Sequence, residues 1–549
     1  MIMNKLLSDL LKDHTPLFSG EGNFWATLNE HGLYNTFQFV LRLSPAVHRK
    51  LAAIPDGITT SSSVDLNGMI AMSTYLHETI HWWQHIGSTY GFVLSMTNPT
   101  QAYANYNHLK EILDTVGFKK SILQLAKTLP GGAYGSLSAT ANTIINNNFD
   151  IASFRNLTIN LTRAMKIVND PLFECVGHSY ATTYGNIINL LSITTDRCFN
   201  VIPNPSMWKE PFQNLRDSKI DGYYYGSAIS LYPIGAHEIF EGQARMAQLQ
   251  YLHFATNGNY GMEAADQAKM FEGVYGKAFS TFLQLAELER PNSIDHPIIA
   301  LFLLICDLAI NPGAGFPFPL HNYSTFIHDI EPGARFVSLS RIVRLKHPEL
   351  INVICDYSRD EYETVSEKLC SAIVEASPLQ IAKEFCRWGR MPEFSELMSE
   401  YESFRFDKEN TVVRVFFSHF LTFMCDKFMR PEFFCWPGAW MAGKRCQEGV
   451  KVLFDRHSAL FFDKEDDDGI FPRILPNRIQ SDVYNTFQDF YSHTVVCDLT
   501  RQWIYESGPF SYDYQWLAQN GSDYNDIRRF AERCFGSVYG VNPGTVSLV

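Results

Sequence analysis

The clearest periodic pattern in the chain lies between Asp65 and Gly87. Apolar residues recur there at intervals of three to four, at Met69, Met72, Leu76, Ile80 and Trp83. This spacing places apolar side chains along one face of an α-helix. Asp65 or Asn67 is a suitable N-cap, and Gly87 is a typical helix end. The pattern therefore predicts an amphipathic helix between these residues.

A strand is predicted before this helix and a second helix after it. Residues 33–43 (LYNTFQFVLRL) are rich in aromatic and apolar side chains, and a turn at residues 30–32 precedes them. Such a segment is typical of a strand in a small β-sheet. A second strong helical pattern covers residues 234–254 and ends at the Asn- and Gly-rich turn 257–259.

The rest of the chain has a mainly helical pattern. The apolar run 298–310 is too short to span a bilayer, so it predicts a buried helix. A chain of 549 residues is longer than a domain with a single hydrophobic core usually is. We expect an α+β, predominantly helical fold with two domains. Residues 1–290 would form the first, with a helical insertion, and residues 291–549 a mostly helical second domain.

Composition and charge limit the classes of partner. The chain is 46% hydrophobic and 19% charged, which is typical of a globular protein with few disordered regions. Its formal net charge is -13, and it has no run of lysine or arginine. Neither nucleic acid nor a membrane is therefore an expected partner. The acidic segment 463–469 fails the ligand spacing of an EF-hand and predicts a solvated turn.

The N-terminus and the cysteines bear on location. Residues 1–18 have the pattern of a short amphipathic helix, without the apolar core and cleavage site of a signal peptide. The 11 cysteines are scattered and include no CxxC pair. An odd number arranged in this way is typical of reduced thiols in a cytosol. We expect a cytoplasmic protein.

His77 and His81 carry the chemistry of the first predicted helix. Residues four apart lie about 40° apart around a helix axis, so both imidazoles reach one point. Zinc accepts imidazole ligands and activates water at an open coordination position. Glu78 is displaced around the helix, where its carboxylate can take a proton from that water. Two incidental histidines on a surface or half-buried helix are the competing interpretation. Against it, the motif lies in an apolar-faced helix beside Trp82 and Trp83, where burying uncompensated polar groups would be costly.

The segment HETIHWWQ resembles the HExxHxxQ form of the zincin metallopeptidases, which occurs in several bacterial families. This resemblance implies zinc as the cofactor, with His77 and His81 as ligands and Glu78 as general base. It implies a zincin-like core, in which a small sheet precedes the motif helix and an edge strand holds the substrate extended. It also favours a bacterial origin. Gln84 has no assigned role in this pattern.

The third ligand is expected on the second predicted helix. In the glutamate-ligand branch of the zincins it often lies in Glu-Gly-x-Ala, which Glu241-Gly242-Gln243-Ala244 matches. The small Gly242 and Ala244 would let this helix approach the first closely. Arg245 stands where that branch usually has aspartate. The resemblance implies that Glu241 converges with His77 and His81 on one zinc.

Other residues compete for the same roles. Glu238 shares a helix face with Glu241, and His85 follows His81 by one turn. Three ligands on one straight helix fit tetrahedral zinc poorly, so a structural or supporting role suits His85 better. Glu174 and His178 are four apart and could form another metal pair, although a solvated helix face is the commoner explanation of such spacing.

One tyrosine before the second helix could donate a hydrogen bond to a reaction oxyanion. The candidates are Tyr223, Tyr224, Tyr225 and Tyr232, for each of which aromatic packing is the competing interpretation.

These patterns favour a zinc metallopeptidase that acts on a protein or peptide, with a regulatory protein as a further possible partner. A binding protein with a structural metal is one alternative. A di-iron or di-manganese carboxylate oxygenase is another, because Glu78 and His81 also form Glu-x-x-His. Such bundles need this pair on two helices, and no second pair lies near the candidate ligands.

Overall fold

The computed structural model describes residues 32–54, 64–129, 135–517 and 523–549. Over this part the chain is predominantly helical and carries small β-sheets, which confirms the expected α+β class. The predicted N-terminal helix lies outside the described residues, as does most of the turn expected at residues 30–32.

The strands form two small sheets. They are β1 (Gly32–Asn35), β2 (Val40–Leu43), β3 (Lys119–Lys120), β4 (Phe461–Lys464), β5 (Asp467–Pro472) and β6 (Ser547–Leu548). The larger sheet has the order β1-β2-β4-β5, in which β2 and β4 are parallel and the outer pairs are antiparallel. Strands β3 and β6 pair in parallel. Among the described strands, β1 thus lies at one end of the larger sheet.

The helices account for most of the described chain. They are α1 (Pro45–Ala52), α2 (Leu66–Ile86), α3 (Thr89–Val116), α4 (Ile122–Thr128), α5 (Gly135–Ile159), α6 (Leu161–Val168), α7 (Val176–Thr195), α8 (Lys209–Asp217), α9 (Ala236–Ala255), α10 (Met262–Gln267), α11 (Val274–Ala286), α12 (Pro297–Ala309), α13 (Phe326–Ile330), α14 (Pro332–Leu345), α15 (Arg359–Ala372), α16 (Pro378–Trp388), α17 (Pro392–Ser403), α18 (Thr411–Met429), α19 (Pro431–Cys435), α20 (Pro437–Trp440), α21 (Glu448–His457), α22 (Gln480–Tyr505) and α23 (Tyr524–Tyr539).

The three helices predicted most specifically are present. Helix α2 is capped by Asp65, whose Oδ1 accepts a hydrogen bond from the Gly68 amide at 2.7 Å, and it ends at Gly87. Helix α9 covers most of the second predicted helix. Helix α12 is buried along its length. Helix α2 is more enclosed than expected, because every residue from Leu76 to Ile86 is buried.

Residues 33–43 form a hairpin, whereas the sequence predicted one strand. Strands β1 and β2 pair with Gly32 opposite Leu43. Asn35 causes the reversal: its Oδ1 accepts hydrogen bonds from the amides of Phe37 at 3.0 Å and Gln38 at 2.9 Å. This is an Asx-type turn, which asparagine favours.

The acidic segment 463–469 is also more structured than predicted. Strands β4 and β5 flank a short turn there, and Asp463 is buried rather than solvated. The Asp463 carboxylate lies 2.8 Å from His48 Nε2 and accepts the Leu43 amide proton at 3.1 Å. Strand β4 and helix α1 are thereby tied to β2.

One hydrophobic cluster runs through most of the described chain. It contains residues from Tyr34 to Tyr491, and a smaller cluster lies between α3, α5, α22 and α23. The pairing of β2 with β4 also crosses residue 290. The division into domains 1–290 and 291–549 stays a prediction, and residues from both parts share a sheet and a core.

The cysteines and the apolar helices bear on the predicted environment. Cys386 and Cys425 form a disulfide between α16 and α18, which the expectation of reduced thiols missed. The other nine cysteines are free. Within the described ranges, none of the helices is long and apolar enough to cross a membrane.

Gly91 sets the close contact between α3 and the end of α2. A Cβ atom at Gly91 would lie 1.8 Å from the Gln84 carbonyl oxygen, which is backbone and cannot rotate away. We expect Gly91→Ala to destabilise the protein by about 2 kcal/mol or more, as overpacking does. Thermal and urea unfolding measure this effect.

The matched control is Gly449→Ala in α21, where an added Cβ meets nothing within 4 Å. Alanine favours a helix over glycine there, so this variant should be neutral or slightly stabilised. Equal stability of the two variants would show that the contact at Gly91 does not constrain α2.

Candidate metal centre

Helices α2 and α9 bring three candidate ligands together. His77 Nε2 and His81 Nε2 lie 3.1 Å apart. The Glu241 Oε2 atom lies 3.6 Å from His77 Nε2 and 3.4 Å from His81 Nε2. Within the described part of the chain, this is the only group of three or more His, Cys, Asp or Glu residues suited to hold a metal ion.

The spacing of these atoms suits a small tetrahedral cation. Ligand atoms about 2.0 to 2.1 Å from a tetrahedral zinc lie about 3.4 Å from one another. The three separations here scatter around that value. Both imidazoles are buried, and the Glu241 side chain is 20% exposed. Two imidazole nitrogens and one carboxylate oxygen are the donor set of many catalytic zinc sites, and solvent can still reach the carboxylate.

Burial and mutual charge set the protonation of the cluster. Burial lowers the pKa of His77 to about 4, so its imidazole is neutral near pH 7. Burial also disfavours charge on His81, but the Glu241 carboxylate, Glu78 and the hydrogen bond that His81 donates to Gln84 together raise the pKa of His81 to about 9. The two imidazoles hold the pKa of Glu241 well below its ordinary value, against the effect of burial. Near pH 7 the protonated His81 therefore forms an ion pair with the ionised Glu241, beside a neutral His77.

Gln84 fixes the orientation of His81. The Gln84 Nε2 group donates hydrogen bonds to the Phe240 carbonyl at 2.9 Å and to Gln243 Oε1 at 2.8 Å. A carbonyl only accepts, so Gln84 Oε1 is the atom that lies 2.8 Å from His81 Nδ1. His81 Nδ1 therefore carries a proton whether the imidazole is neutral or charged, and Nε2 is the nitrogen that faces the cluster. Gln84 thus orients a candidate ligand.

Glu78 lies beside the edge of the larger sheet rather than in the ligand group. Its side chain is buried, and its carboxylate is close to the backbone of Gly32 in β1. A Cβ atom at Gly32 would lie 2.9 Å from Glu78 Oε1. The missing side chain of Gly32 therefore leaves the space in which the Glu78 carboxylate lies.

The competing ligands have other partners. Glu238 caps its own helix through the Gly235 amide at 2.9 Å and lies 3.1 Å from Lys277 Nζ. His85 Nδ1 lies 2.9 Å from the His81 carbonyl, and the His85 ring packs against Phe240.

The second predicted metal pair lies apart from the cluster. Glu174 forms an ion pair with Arg216. His178 Nε2 lies 3.2 Å from Asp150 Oδ2 and 3.7 Å from Glu174 Oε2. These residues do not join His77, His81 and Glu241 in the ligand group.

The four tyrosines considered as oxyanion donors have other environments. Tyr223 donates to the Tyr323 carbonyl at 2.7 Å, and the Tyr232 hydroxyl lies 2.7 Å from His328 Nδ1. The Tyr224 hydroxyl lies 3.4 Å from Asp221, and Tyr225 is 76% exposed. The tyrosine beside the cluster is instead Tyr275, whose ring centroid is 6.1 Å from that of His77.

Gly242 has a different neighbour from the one expected. A Cβ atom there would lie 2.9 Å from Ala278 Cβ, so Gly242 lets α11 approach α9. The sequence suggested that it would admit α2. The sequence also missed the role of Gln84, although its spacing of three from His81 places both on one helix face. No signal in the sequence marked Tyr275.

Replacing Gln84 with methionine tests its role at the site. Methionine has a similar volume but lacks the amide oxygen that accepts the hydrogen bond from His81 Nδ1. We expect Gln84→Met to weaken zinc binding by about 10- to 100-fold, which is typical when the partner of a ligand is removed. Competition with a chromophoric chelator measures the affinity.

Gln101→Met is a matched control, because Gln101 is also buried but bonds to Asn148. It should leave zinc affinity unchanged even if stability falls. Equal loss of zinc affinity in both variants would point to a general effect of buried glutamines and against the orienting role of Gln84.

Comparisons with known proteins do not assign the chain to a family. No family model, no curated protein and no solved structure matches it.

Proposed function

We propose that this protein is a zinc-dependent metallopeptidase, in which His77, His81 and Glu241 bind the metal and Glu78 is the general base. The observation that carries the proposal is the convergence of the three ligand atoms from α2 and α9. Its second support is the carboxylate of Glu78, which lies next to the ligands but outside their group.

The residues divide the chemistry among them. Zinc bound at such a site lowers the pKa of water and so supplies a nucleophile near neutral pH. Glu78 takes the proton of that nucleophile on its carboxylate and passes it to the nitrogen of the leaving amine. Gln84 keeps His81 in the tautomer that presents Nε2. The Trp82 and Trp83 side chains are buried and limit water behind the ligands.

We also propose that the larger sheet and helix α2 are arranged as in a zincin, so that the sheet binds the substrate beside the motif helix. Strand β1 is at an edge of the sheet that the described strands form, and its Gly32 adjoins Glu78. A peptide added along that edge would be extended, and its backbone would pair with β1. Its carbonyl groups would then pass close to the general base, as hydrolysis requires.

Two other functions remain alternatives. A structural metal in a binding protein would need the same ligands but not Glu78. A di-iron or di-manganese oxygenase would need further carboxylates at the ligand group, and Glu78 lies outside it. The metallopeptidase accounts for both the three ligands and the position of Glu78. A cytoplasmic location and a regulatory protein partner stay predictions from the sequence.

Replacing single carboxylates tests which one completes the site. Glu241→Ala should reduce zinc to well below one per chain, because two ligands hold zinc poorly. Glu238→Ala and Glu174→Ala are matched controls and should keep about one zinc per chain. Elemental analysis of the purified variants gives the stoichiometry. Retention of zinc by Glu241→Ala, with loss in either control, would reassign the third ligand.

The paired variants Glu78→Gln and His81→Ala separate chemistry from metal binding. Glu78→Gln should keep zinc and the fold, because the amide is nearly isosteric, while hydrolysis falls by at least about 100-fold. His81→Ala should lose both zinc and activity. A proteome-derived peptide library read by mass spectrometry serves as substrate, because it does not presuppose a specificity.

Metal identity and activity together decide between the three functions. One zinc per chain with cleavage that depends on Glu78 supports the peptidase. Zinc with unchanged behaviour in Glu78→Gln would make the metal structural. Two irons or two manganese ions per chain would support the oxygenase.

A further inference from the structure

Arg245 and Tyr275 form a stacked pair beside the candidate metal centre. The Arg245 guanidinium carbon lies 4.0 Å from the centroid of the Tyr275 ring. The Tyr275 ring meets the His77 ring at 6.1 Å and at an interplanar angle of 67°. Arg245 follows Glu241 by one helical turn, so both side chains leave the same face of α9. The Tyr275 ring therefore lies next to His77 on one side and is stacked against the Arg245 guanidinium.

The position of Arg245 is fixed from two sides. Its Nη1 donates to Gln248 Oε1 at 2.6 Å and contacts the Met270 sulfur at 3.4 Å. Gln248 in turn donates to the Ser73 hydroxyl at 3.1 Å, one turn before His77 in α2. The guanidinium is thus linked to both helices of the site and cannot rotate freely above the Tyr275 ring.

The start of helix α11 is held close to α9. Lys277 Nζ lies 3.1 Å from Glu238 Oε1, and Gly242 leaves room for Ala278. Glycine at position 276 is also required, because a Cβ there would lie 2.1 Å from the Phe271 carbonyl oxygen. Tyr275 therefore projects from a constrained turn, which suits a residue that must hold one orientation.

We propose that Tyr275 is a catalytic residue of this site and that Arg245 is its positioning residue. The proposal deepens the metallopeptidase function and rests on it. The Tyr275 hydroxyl donates a hydrogen bond to the oxyanion that forms on the scissile carbonyl. Arg245 holds the phenol ring in place by cation–π stacking.

In the proposed hydrolysis, Glu78 transfers the proton and Tyr275 keeps its own. A water oxygen attacks the carbonyl carbon, the carbon–oxygen π electrons move to the carbonyl oxygen, and one water proton moves to Glu78. The electron pair on the carbonyl oxygen then re-forms the carbon–oxygen double bond as the carbon–nitrogen bond breaks. The proton passes from Glu78 to the amine nitrogen, and the carbonyl carbon is left as a carboxylic acid. Tyr275 only donates its hydrogen bond, which is strongest when the oxygen is negative.

The first test uses a probe that needs no knowledge of the substrate. Acetohydroxamate presents a negatively charged oxygen to a metal site, and its binding to the cobalt(II)-loaded full-length protein is measurable by visible absorption. We expect Tyr275→Phe to keep one metal per chain and to bind acetohydroxamate about 10- to 100-fold more weakly, the loss of a hydrogen bond to a charged group. Tyr232→Phe, which also removes one hydroxyl, should bind it within about twofold of the parent.

A double-mutant cycle tests the positioning role of Arg245. Arg245→Met should weaken acetohydroxamate binding in the parent, but it should add little in the Tyr275→Phe background, because its effect acts through Tyr275. Equal effects of Arg245→Met in the two backgrounds would overturn the positioning role. In peptide hydrolysis, Tyr275→Phe should lower kcat with little change in KM.

The possible failures are distinguishable. Failure of the parent protein to bind cobalt or zinc would overturn the proposed function itself. Metal binding with unchanged acetohydroxamate affinity in Tyr275→Phe would overturn only the role of Tyr275. If His237→Gln, one turn before Glu241 on α9, weakened binding while Tyr275→Phe did not, the oxyanion donor would be His237.

Discussion

Helices α2 and α9 meet along a layer of polar side chains that apolar residues otherwise surround. Ser73 bonds to Gln248 at one end of this layer, and Gln84 bonds to Gln243 at the other. Later residues of α2 thus face earlier residues of α9, so the helices run antiparallel. His77 and His81 lie between the two ties on α2, and Glu241 lies beside the second tie on α9, between Phe240 and Gln243. Since buried polar groups are costly without partners, the helices can pack only in a register that satisfies these contacts.

The same register explains why the candidate ligands cluster so closely. A carboxylate brought against two buried imidazoles would be unfavourable unless positive charge is present between them. The raised pKa of His81 and the lowered pKa of Glu241 meet that need with a proton. A divalent cation meets it with more charge and more directed bonds. A site that served only to join two helices could use apolar side chains at lower cost.

The sequence predicted the local features of this site and missed those that depend on tertiary contacts. The helix from Asp65 to Gly87, its paired histidines and the later Glu241 were visible as spacing and capping patterns. The tautomer of His81 was not, because it depends on the Phe240 carbonyl, which no pattern marks. Tyr275 was missed for the same reason: the backbone of α11 brings it to the site.

The pairing in the larger sheet also could not be predicted from local patterns. It joins residues near position 40 to residues near position 463. Strand β2 pairs with β4, and the buried Asp463 accepts the Leu43 amide proton. The β1–β2 hairpin, and with it Gly32 beside Glu78, is therefore held by residues near position 463. The carbonyl of His457 likewise accepts the Trp83 indole proton at 2.8 Å. Glu78 and helix α2 thus depend on contacts from the C-terminal region, so that region acts at the candidate site through packing.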